Sequence, residues 1–495
     1  MNKQFILAID QGTSGTKSLI FDEQGKLRAK GVEPLKTYFL EAGFVEQDPD
    51  EIYQNVLSSV KTCINQFKAK GGDINSVVTI GISNQRETFI IWDKQGKPLY
   101  NAVIWQCKRS IDICERLKKQ NLLQTIKTKT GLLIDPYFSG TKLIWLYENN
   151  APVRNAVEKG DACFGTVDTW LLYRLTGGRS YATDYTNASR TLFFNLSTLD
   201  WDKELLDTFN LSNLNLPDCK PSSNLFGETD LDGLLNHSIS ISAMIGDSHA
   251  AAFGEGCFTP GMAKATLGTG CSVMMNSGDQ IVYSNTGMLS TICWSTEDKV
   301  QYALEGAIVT CGATIEWLKK ELGLITDSNQ TEIMAASVAD NNGVYLIPAF
   351  SGLGAPHWDM SRKASITGLT FGTNKNHIVR AALESIPYQI MDVIVAMEAD
   401  TNIQLHQLMV DGGISSNQFV VQFLADLLSK PVVNIGIPDV SALGTAYLAG
   451  LQQRIYKDLD QLSQLNTGKK MVDPSGDHRV KIWYAGWTNL IDKKQ

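Results

Sequence analysis

The feature that most constrains the fold is a short turn, rich in glycine and threonine, between two apolar segments at the start of the chain. Residues 5–10 (FILAID) predict a buried strand, residues 11–15 the turn, and residues 17–21 a second strand. A similar turn between apolar segments recurs far downstream, at residues 265–273 (ATLGTGCSV). One such hairpin early in each half of the chain predicts a duplicated architecture.

The length of the chain also indicates two units. With 495 residues it exceeds what one hydrophobic core usually serves, so we expect two domains of similar size, residues 1–253 and residues 254–495. No Pro-rich or Gly/Ser-rich linker marks the junction, which favours two halves packed closely around a central cleft.

Strands alternate with helices in the N-terminal half. Asp48 and Pro49 predict the start of a helix whose apolar positions recur every four residues from Ile52 to Ile64, and the next strand follows at residues 77–82. Further on, the strand at residues 408–411 leads into a glycine pair that we expect to open another helix. This alternation is typical of an α/β layer structure.

Composition and charge narrow the function. Lys and Arg number 44 against 52 Asp and Glu, a net charge of −8, so we expect a small-molecule substrate and no nucleic-acid partner. No segment approaches the roughly 20 apolar residues of a membrane-spanning helix, so we expect no membrane insertion. The start of the chain lacks the features of an export signal, and nine cysteines without C-x-x-C pairs suit a reducing, cytoplasmic location.

The first turn has the composition of an anion site. Residues 12–17 (GTSGTK) offer closely spaced backbone N–H groups, hydroxyls and one ammonium, which suits a phosphate. The segment is not a Walker A loop, because Thr16 and not glycine precedes Lys17. An ordinary tight hairpin is an equally good interpretation of one such turn, but the second turn at residues 268–270 favours a polyphosphate held between the halves.

Two aspartates follow predicted strands. Asp10, at the end of the first strand, is suited to hold Mg²⁺ through water, since that ion keeps several waters and uses few carboxylates. Asp247 follows the apolar segment at residues 241–245 and precedes a run of small residues, and it is our candidate general base. The alternative interpretations are a turn-capping and a helix-capping aspartate.

The segment at residues 84–88 (NQRET) lies between two predicted strands and contains an arginine and a carboxylate. Arg86 and Glu87 are candidates to hold sugar or polyol hydroxyls, although a solvated surface pair is the common alternative. Trp105 and Tyr137 are candidate apolar walls for the carbon atoms, with an ordinary core role as the alternative.

Together these segments resemble the FGGY carbohydrate kinase family, and within it the glycerol kinases, over essentially the whole chain. The motifs that carry the resemblance are residues 9–13 (IDQGT), 84–88, 104–107 (IWQC), 137–149 (YFSGTKLIWLYEN), 164–170 (FGTVDTW), 184–190 (DYTNASR), 364–369 (ASITGL), 377–384 (HIVRAALE) and 484–487 (YAGW).

The resemblance implies an α/β fold of two actin-like domains, of the ribonuclease H-like kind shared with hexokinase and Hsp70. The N-terminal domain would bind the substrate and carry the first phosphate hairpin, and the C-terminal domain would bind nucleotide. The implied reaction is the ATP-dependent, Mg²⁺-dependent phosphorylation of a terminal hydroxyl of a small polyol, with glycerol as the leading substrate. A homodimer or homotetramer is the implied assembly.

The resemblance also assigns roles to residues. The implied substrate contacts are Arg86, Glu87, Trp105, Tyr137, Asp247, Ser248 and Ser272, and the implied ATP contacts are Thr13, Ser14, Lys17, Thr269, Gly312, Glu316, Gly413 and Asn417. Lys17 stands where the family places an arginine, and Glu316 where it places a glutamine.

Two departures bear on the substrate. Ser248 replaces a glutamine and Ser272 a phenylalanine of the glycerol kinase pattern, and each change removes bulk and leaves a hydroxyl. A pocket enlarged in this way would accommodate a tetritol, a pentitol or a ketopentose, which is the nearest alternative. A remote alternative is a conformational ATPase of the actin or Hsp70 kind. A dehydrogenase is excluded, because no G-x-G-x-x-G follows a first strand.

Residues 230–240 lack the Gly-rich, arginine-bearing loop through which some glycerol kinases bind fructose bisphosphate, so we expect no inhibition by fructose bisphosphate.

Overall fold

A computed structural model of the chain describes residues 3–40, 43–465 and 468–492. Within these ranges, no helix is both long enough and apolar enough to cross a bilayer. All nine cysteines are free thiols.

The N-terminal half is built on a sheet that starts with the predicted hairpin. Its elements are, in chain order, β1 Phe5–Gln11, β2 Gly15–Asp22, β3 Leu27–Pro34, β4 Tyr38–Phe39, β5 Val45–Gln47, α1 Pro49–Ala69, β6 Val77–Asn84, β7 Phe89–Asp93, β8 Ala102–Val103, α2 Ile111–Lys119, α3 Leu123–Thr130, α4 Ser139–Asn149, α5 Ala151–Glu158, β9 Ala162–Thr166, α6 Val167–Leu175, β10 Ala182–Asp184, α7 Tyr185–Ala188, β11 Phe194–Asn195, β12 Asp200–Trp201, α8 Lys203–Thr208, β13 Asp218–Lys220, β14 Ser223–Thr229, β15 Ile239–Gly246 and α9 Asp247–Glu255.

The C-terminal half repeats the pattern. Its elements are β16 Met262–Leu267, β17 Cys271–Gly278, β18 Leu289–Thr296, β19 Lys299–Ile308, α10 Gly312–Lys320, α11 Gln330–Ala336, β20 Tyr345–Ile347, β21 Ser365–Thr367, α12 Lys375–Thr401, β22 Gln407–Asp411, α13 Gln418–Leu428, β23 Val432–Asn434, α14 Val440–Gln452, α15 Leu459–Leu465, β24 Lys470–Val472 and α16 Arg479–Ile491.

The two main sheets share one topology. The first has the order β14-β15-β6-β1-β2-β3, with β1 antiparallel to β2 and parallel to β6. The second has the order β18-β19-β17-β16-β22-β23-β24, with β16 antiparallel to β17 and parallel to β22. The two sheets therefore share a core of three neighbouring antiparallel strands, β1-β2-β3 and β16-β17-β19, followed by two parallel strands, β6-β15 and β22-β23. The predicted duplication of the hairpin is present in the structure.

The local predictions agree with these elements, with one correction. The Asp48 side chain accepts a hydrogen bond from the Asp50 amide at 2.8 Å and caps α1 as expected. The glycine pair after β22 does not open an α-helix directly, because Gly412, with φ of +85°, leads into a 3₁₀ turn at Gly413–Ser416. The α-helix begins only at Gln418, with Asn417 as its N-cap.

Two helices lie between the sheets and join the halves. A Cβ atom at Gly444 of α14 would overlap the carbonyl oxygen of Ala250 in α9, and one at Gly254 would lie 2.6 Å from the carbonyl oxygen of Val440. The small residues thus allow α9 and α14 to pack backbone to backbone. Their apolar cluster includes side chains of β1 and β22, one from each half. This packing fixes the starts of both helices, and with them Asp247, relative to both sheets.

Candidate functional site

A cleft between the two halves contains a cavity of about 230 Å³. Ligand pockets usually measure roughly 300–1,000 Å³, so this one suits a small molecule. The residues that line it are Thr13, Gln85, Arg86, Glu87, Trp105, Tyr137, Asp247, Ser248, Ala251, Lys264, Thr266, Asp411 and Ser441. The sequence-predicted substrate residues therefore lie together, with the exception of Ser272, and the other half contributes Lys264, Thr266, Asp411 and Ser441.

The two Gly/Thr turns lie on opposite sides of this region, since Thr13 of the first turn and Thr266 of the strand before the second turn both line the cavity. The Gly12 amide donates to the Gly15 carbonyl at 3.0 Å, and the Gly268 amide donates to the Gly270 carbonyl at 3.0 Å. Ser14 and Thr269 are exposed at the two tips. Thr13 is held more firmly, since its hydroxyl donates to Gln85 Oε1 at 3.1 Å.

Lys17 does not point to an unoccupied anion site. Its Nζ lies 3.1 Å from Asp439 Oδ1, and Lys30 Nζ lies 2.6 Å from the other oxygen of that carboxylate. Asp439 belongs to the C-terminal half, at the start of α14. Burial raises the pKa of Asp439, but Lys30 and Lys17 outweigh it and hold that pKa below its ordinary value. The contact links the first hairpin to the opposite half.

Two carboxylates of the N-terminal half lie at or near the cleft. Asp10 is the second-last residue of β1, and its Oδ1 accepts a hydrogen bond from the Ser83 hydroxyl at 2.9 Å. Burial and the charge of Asp247 raise the pKa of Asp10 to about 6. Asp247 begins α9, and its side chain remains 40% exposed, so a ligand in the cleft can reach it. Burial raises the pKa of Asp247, while Arg86 at 3.5 Å opposes that effect.

Arg86 and Glu87 are buried, so the surface-pair alternative is wrong. Arg86 is paired across the cleft with Glu305, which accepts from Nη1 at 3.0 Å and from Nη2 at 2.8 Å. Glu87, in a left-handed backbone conformation with φ of +60°, accepts from Arg190 Nε at 2.6 Å. Arg190 Nη1 also lies 2.9 Å from Glu305 Oε2, an ion-pair contact without hydrogen-bond geometry. Two arginines and two carboxylates thus form one buried network.

Sequence reasoning missed two members of this network. Arg190 ends the motif at residues 184–190, but its pairing cannot be read from that motif. Glu305 lies in the buried strand β19. A single carboxylate between apolar neighbours was the only feature of the sequence that could have indicated a buried charge there. Burial raises the pKa of Glu305, but Arg190 and Arg86 outweigh it and hold that pKa well below its ordinary value.

The aromatic residues form a corner of the cavity. The rings of Trp105 and Tyr137 meet edge to face, with centroids 5.8 Å apart. Trp105 is more than an apolar wall, because its Nε1 donates to the Thr13 hydroxyl at 2.9 Å. It thereby ties the substrate side of the cleft to the first hairpin.

The two serines that depart from the family pattern differ in their surroundings. Ser248 lines the cavity, and its hydroxyl accepts a hydrogen bond from Lys264 Nζ at 3.0 Å. The Ser272 hydroxyl instead donates to Glu305 Oε1 at 3.1 Å, behind Arg86. The expectation that both serines present a hydroxyl to the substrate therefore needs correction for Ser272. Sequence reasoning also missed Lys264. A charged residue within an apolar strand was the only feature that could have indicated its place in the site.

The residues expected to hold nucleotide lie around the second hairpin. The Gly312 amide, at the start of α10, donates to the Gly268 carbonyl at 2.9 Å, and the Cys311 amide donates to the Thr269 carbonyl at 2.9 Å. A Cβ at Gly312 would also lie 3.5 Å from Ile414, next to Gly413. Glu316 lies one turn into α10, half exposed, and pairs with Lys320 at 3.1 Å. Asn417 Nδ2 donates to Thr331 at 3.2 Å.

Two family models match the chain. The model of the N-terminal domain of the FGGY family of carbohydrate kinases matches residues 5–254, and that of the C-terminal domain matches residues 263–452. A glycerol kinase of Carboxydothermus hydrogenoformans is 44% identical over 100% of this chain and 98% of its own length. Glycerol kinase 2 of Thermotoga maritima is 44% identical over 99% of this chain and 98% of its own length.

Solved structures show the same overall arrangement. The structure of Plasmodium falciparum glycerol kinase with ADP covers 99% of this chain and 98% of its own, with a TM-score of 0.94 and 36% identity. A gluconate kinase from Lactobacillus acidophilus covers 99% of this chain and 98% of its own, with a TM-score of 0.88 and 22% identity, which is a likeness of fold.

Proposed function

Because the chain belongs to the FGGY family of carbohydrate kinases, we propose that it transfers the γ-phosphoryl group of ATP to a terminal hydroxyl of glycerol, giving glycerol 3-phosphate. The sequence predicted membership of this family and a fold of two actin-like α/β domains. The family models and the solved glycerol kinase structure confirm both predictions. One observation carries the proposal: a reachable carboxylate, Asp247, stands beside a buried Arg86 in a small cavity between two Gly/Thr turns. Relatives at 44–45% identity over 99–100% of this chain are named glycerol kinases.

The polyol would lie on the N-terminal side of the cleft. Arg86 offers N–H donors in a fixed plane, and Glu87 offers carboxylate oxygens, which together suit vicinal hydroxyls. Trp105 and Tyr137 would cover the carbon atoms. Because Glu305 and Arg190 already hold these two charged side chains, little reorganisation is needed when the substrate binds.

Asp247 would accept the proton of the attacking hydroxyl. Its side chain reaches the cleft, and a general base must lie within hydrogen-bond reach of the proton it removes. Arg86 on one side and the Ser248 amide, which donates to Asp247 Oδ1 at 2.7 Å, on the other would fix the carboxylate for this role. The oxygen of the hydroxyl forms the new bond to phosphorus as ADP leaves.

The residues around the turns fit a nucleotide. A Cβ atom at Gly413 would have no neighbour within 4 Å, so open space lies beside this backbone. We propose that the nucleotide occupies this space and contacts Gly413, Asn417, Glu316 and Gly312. Thr13, Ser14, Lys17 and Thr269 would contact the phosphates, with Lys17 leaving Asp439 to do so. ATP supplies the phosphoryl group, and closure of the halves around it would exclude water.

Asp10 would hold Mg²⁺ through water. Over the described ranges, no group of three or more His, Cys, Asp or Glu side chains could hold a metal ion, which suits an ion bound by few carboxylates and by phosphate oxygens. When bound, Mg²⁺ would neutralise charge on the phosphates. Ser83 would orient the Asp10 carboxylate.

A longer polyol or a ketopentose is the second candidate substrate. Ser248 favours it, since this small side chain lines the cavity at the position where a glutamine would fill space. Ser272 contributes less to this argument, because its hydroxyl is bound to Glu305.

The test is to incubate the protein with MgATP and glycerol and identify the product by phosphorus NMR, with ADP release measured in parallel. We expect glycerol 3-phosphate and ADP in equal amounts, and loss of about 10²–10⁴-fold in kcat for Asp247→Asn. ATP turnover that does not depend on any polyol would instead favour a conformational ATPase. Near-normal turnover by Asp247→Asn would remove the assigned base.

We also propose that the protein is cytoplasmic and forms a homodimer or homotetramer. A cytoplasmic protein agrees with nine free thiols, eight of them buried. The homodimer or homotetramer is checked by light scattering on the purified chain.

A further inference from the structure

One buried cation in the cleft has no role in the reaction described so far. Lys264 lies in β16 of the C-terminal half and is fully buried, yet it lines the cavity with Asp247. Its Nζ donates to the Ser248 hydroxyl at 3.0 Å and to the Thr266 hydroxyl at 2.7 Å. Over the described ranges, no carboxylate lies within 4.0 Å of this ammonium.

Such a site is costly for the folded protein. A buried ammonium that bonds only to neutral hydroxyls is poorly compensated for the water it has lost. The nearby Glu255 is buried, and among the described residues neither of its carboxyl oxygens has a hydrogen-bond partner. Burial raises the pKa of this carboxyl well above its ordinary value, so it is poorly suited to balance the ammonium. Asp247 and Asp411 line the same cavity, but among the described residues neither forms an ion pair with Lys264. The ammonium therefore lies at the wall of the cleft with only hydroxyl partners.

The position of Lys264 suggests what its counter-ion is. Ser248 follows the proposed base directly, and Thr266 lies three residues before Thr269 at the tip of the second phosphate turn. Lys264 is therefore held between the residue that follows the proposed base and the strand that leads into the second turn. An ammonium has three donors, and the two hydroxyls use two of them, so one N–H is left for an acceptor in the cleft.

We propose that Lys264 is a further catalytic residue, which donates a hydrogen bond to a non-bridging oxygen of the transferring phosphoryl group. The inference rests on the proposed kinase function. The polyol oxygen forms a bond to the γ-phosphorus, the bond from that phosphorus to the β–γ bridging oxygen breaks, and Asp247 takes the hydroxyl proton. Lys264 keeps its proton and stabilises the charge on the phosphoryl oxygens in the transition state. Ser248 and Thr266 are positioning residues that aim the ammonium.

The test compares Lys264→Met with the wild type and with Lys129→Met as a matched control. Lys129 pairs with Asp202 and Glu204, and it does not line the cavity. For Lys264→Met we expect kcat to fall by about 10²–10³-fold, with the KM values for ATP and polyol changed by less than about threefold. The control variant should keep the wild-type kcat.

A binding measurement separates this role from a structural one. Calorimetry with MgADP, aluminium fluoride and glycerol measures affinity for a mimic of the transferring group, and MgADP alone measures ground-state binding. Lys264→Met should weaken the mimic by a factor similar to the loss in kcat, and leave MgADP binding within about threefold of the wild type. If Lys264→Met does not fold, Lys264→Gln gives the same comparison.

The outcomes distinguish the two proposals. A wild-type protein that phosphorylates no polyol would overturn the proposed function itself. If the wild type is active but the Lys264 variants keep its kcat, the role of Lys264 alone is overturned. The same holds if these variants lose affinity for the transition-state mimic and for MgADP by equal factors.

Discussion

Replacing Glu305 by glutamine should separate the buried charge network from the rest of the fold. Glu305 is 3% exposed and pairs with both Arg86 and Arg190. Glu305→Gln leaves the two arginines with Glu87 as their only negative partner in the network. Breaking a buried ion pair in this way costs about 3–5 kcal/mol. For a unit of about 250 residues this corresponds to a melting temperature lower by about 6–10 °C.

The loss of kcat/KM in Glu305→Gln should be larger than its loss of stability explains. Arg86 loses one of the two hydrogen bonds that fix its plane, because glutamine keeps one acceptor oxygen and turns an NH2 donor toward the guanidinium, and a displaced positioning group costs about 100-fold in kcat/KM. The matched control is Glu46→Gln, which breaks the buried pair of Glu46 with Arg109, 2.6 Å apart, away from the cavity. Calorimetry should show similar losses of stability for both variants, while coupled ADP release at 20 °C below both melting temperatures should show a loss only for Glu305→Gln. Equal kcat/KM in the two variants would refute the role of the network.

Three further predictions follow from the same contacts. Gly246→Ala should lower kcat/KM with little loss of nucleotide binding, because the new Cβ would lie 2.7 Å from Arg86 Cγ, and unchanged steady-state kinetics would contradict this. Because Glu305 has a pKa below its ordinary value of 4.5, its contribution to stability is present above that pH and is lost as pH falls through the lower folded pKa; the gap in unfolding free energy between wild type and Glu305→Gln should therefore be constant from about pH 6 to 8, begin to narrow near pH 4.5 and close only as pH falls through the lower folded pKa. Fructose 1,6-bisphosphate should not inhibit, since residues 230–240 hold no lysine or arginine, and inhibition in the coupled assay would refute this.

The parts of the structure that are local in sequence could be predicted. The hairpin at residues 5–21 and the capped helix at Pro49–Ala69 follow from alternation of apolar segments with turn and cap residues. The predicted duplication agrees with the matching strand orders of the two sheets.

The parts that depend on distant pairing could not be predicted. Arg86 and Glu305 are 219 residues apart, and only the docking of the two halves brings them to 2.8 Å. The same docking places Lys17 against Asp439. Lys17 was predicted to contact the phosphates of ATP, but in the free protein its partner is this carboxylate. Ser272 was assigned to the substrate because of its place in the family pattern, and its bond to Glu305 depends on that long-range pair.

The most direct test of the proposed function is a comparison of kcat/KM, by coupled ADP release with MgATP, for glycerol, erythritol, the pentitols, dihydroxyacetone, xylulose and ribulose. We predict that glycerol exceeds every other substrate by at least about tenfold, because the cavity is small and is lined by Arg86, Glu87, Trp105, Tyr137 and Asp247, which match the family's substrate contacts. A higher kcat/KM for a longer polyol or a ketose would contradict glycerol as the substrate and show that Ser248 has changed the specificity of the pocket.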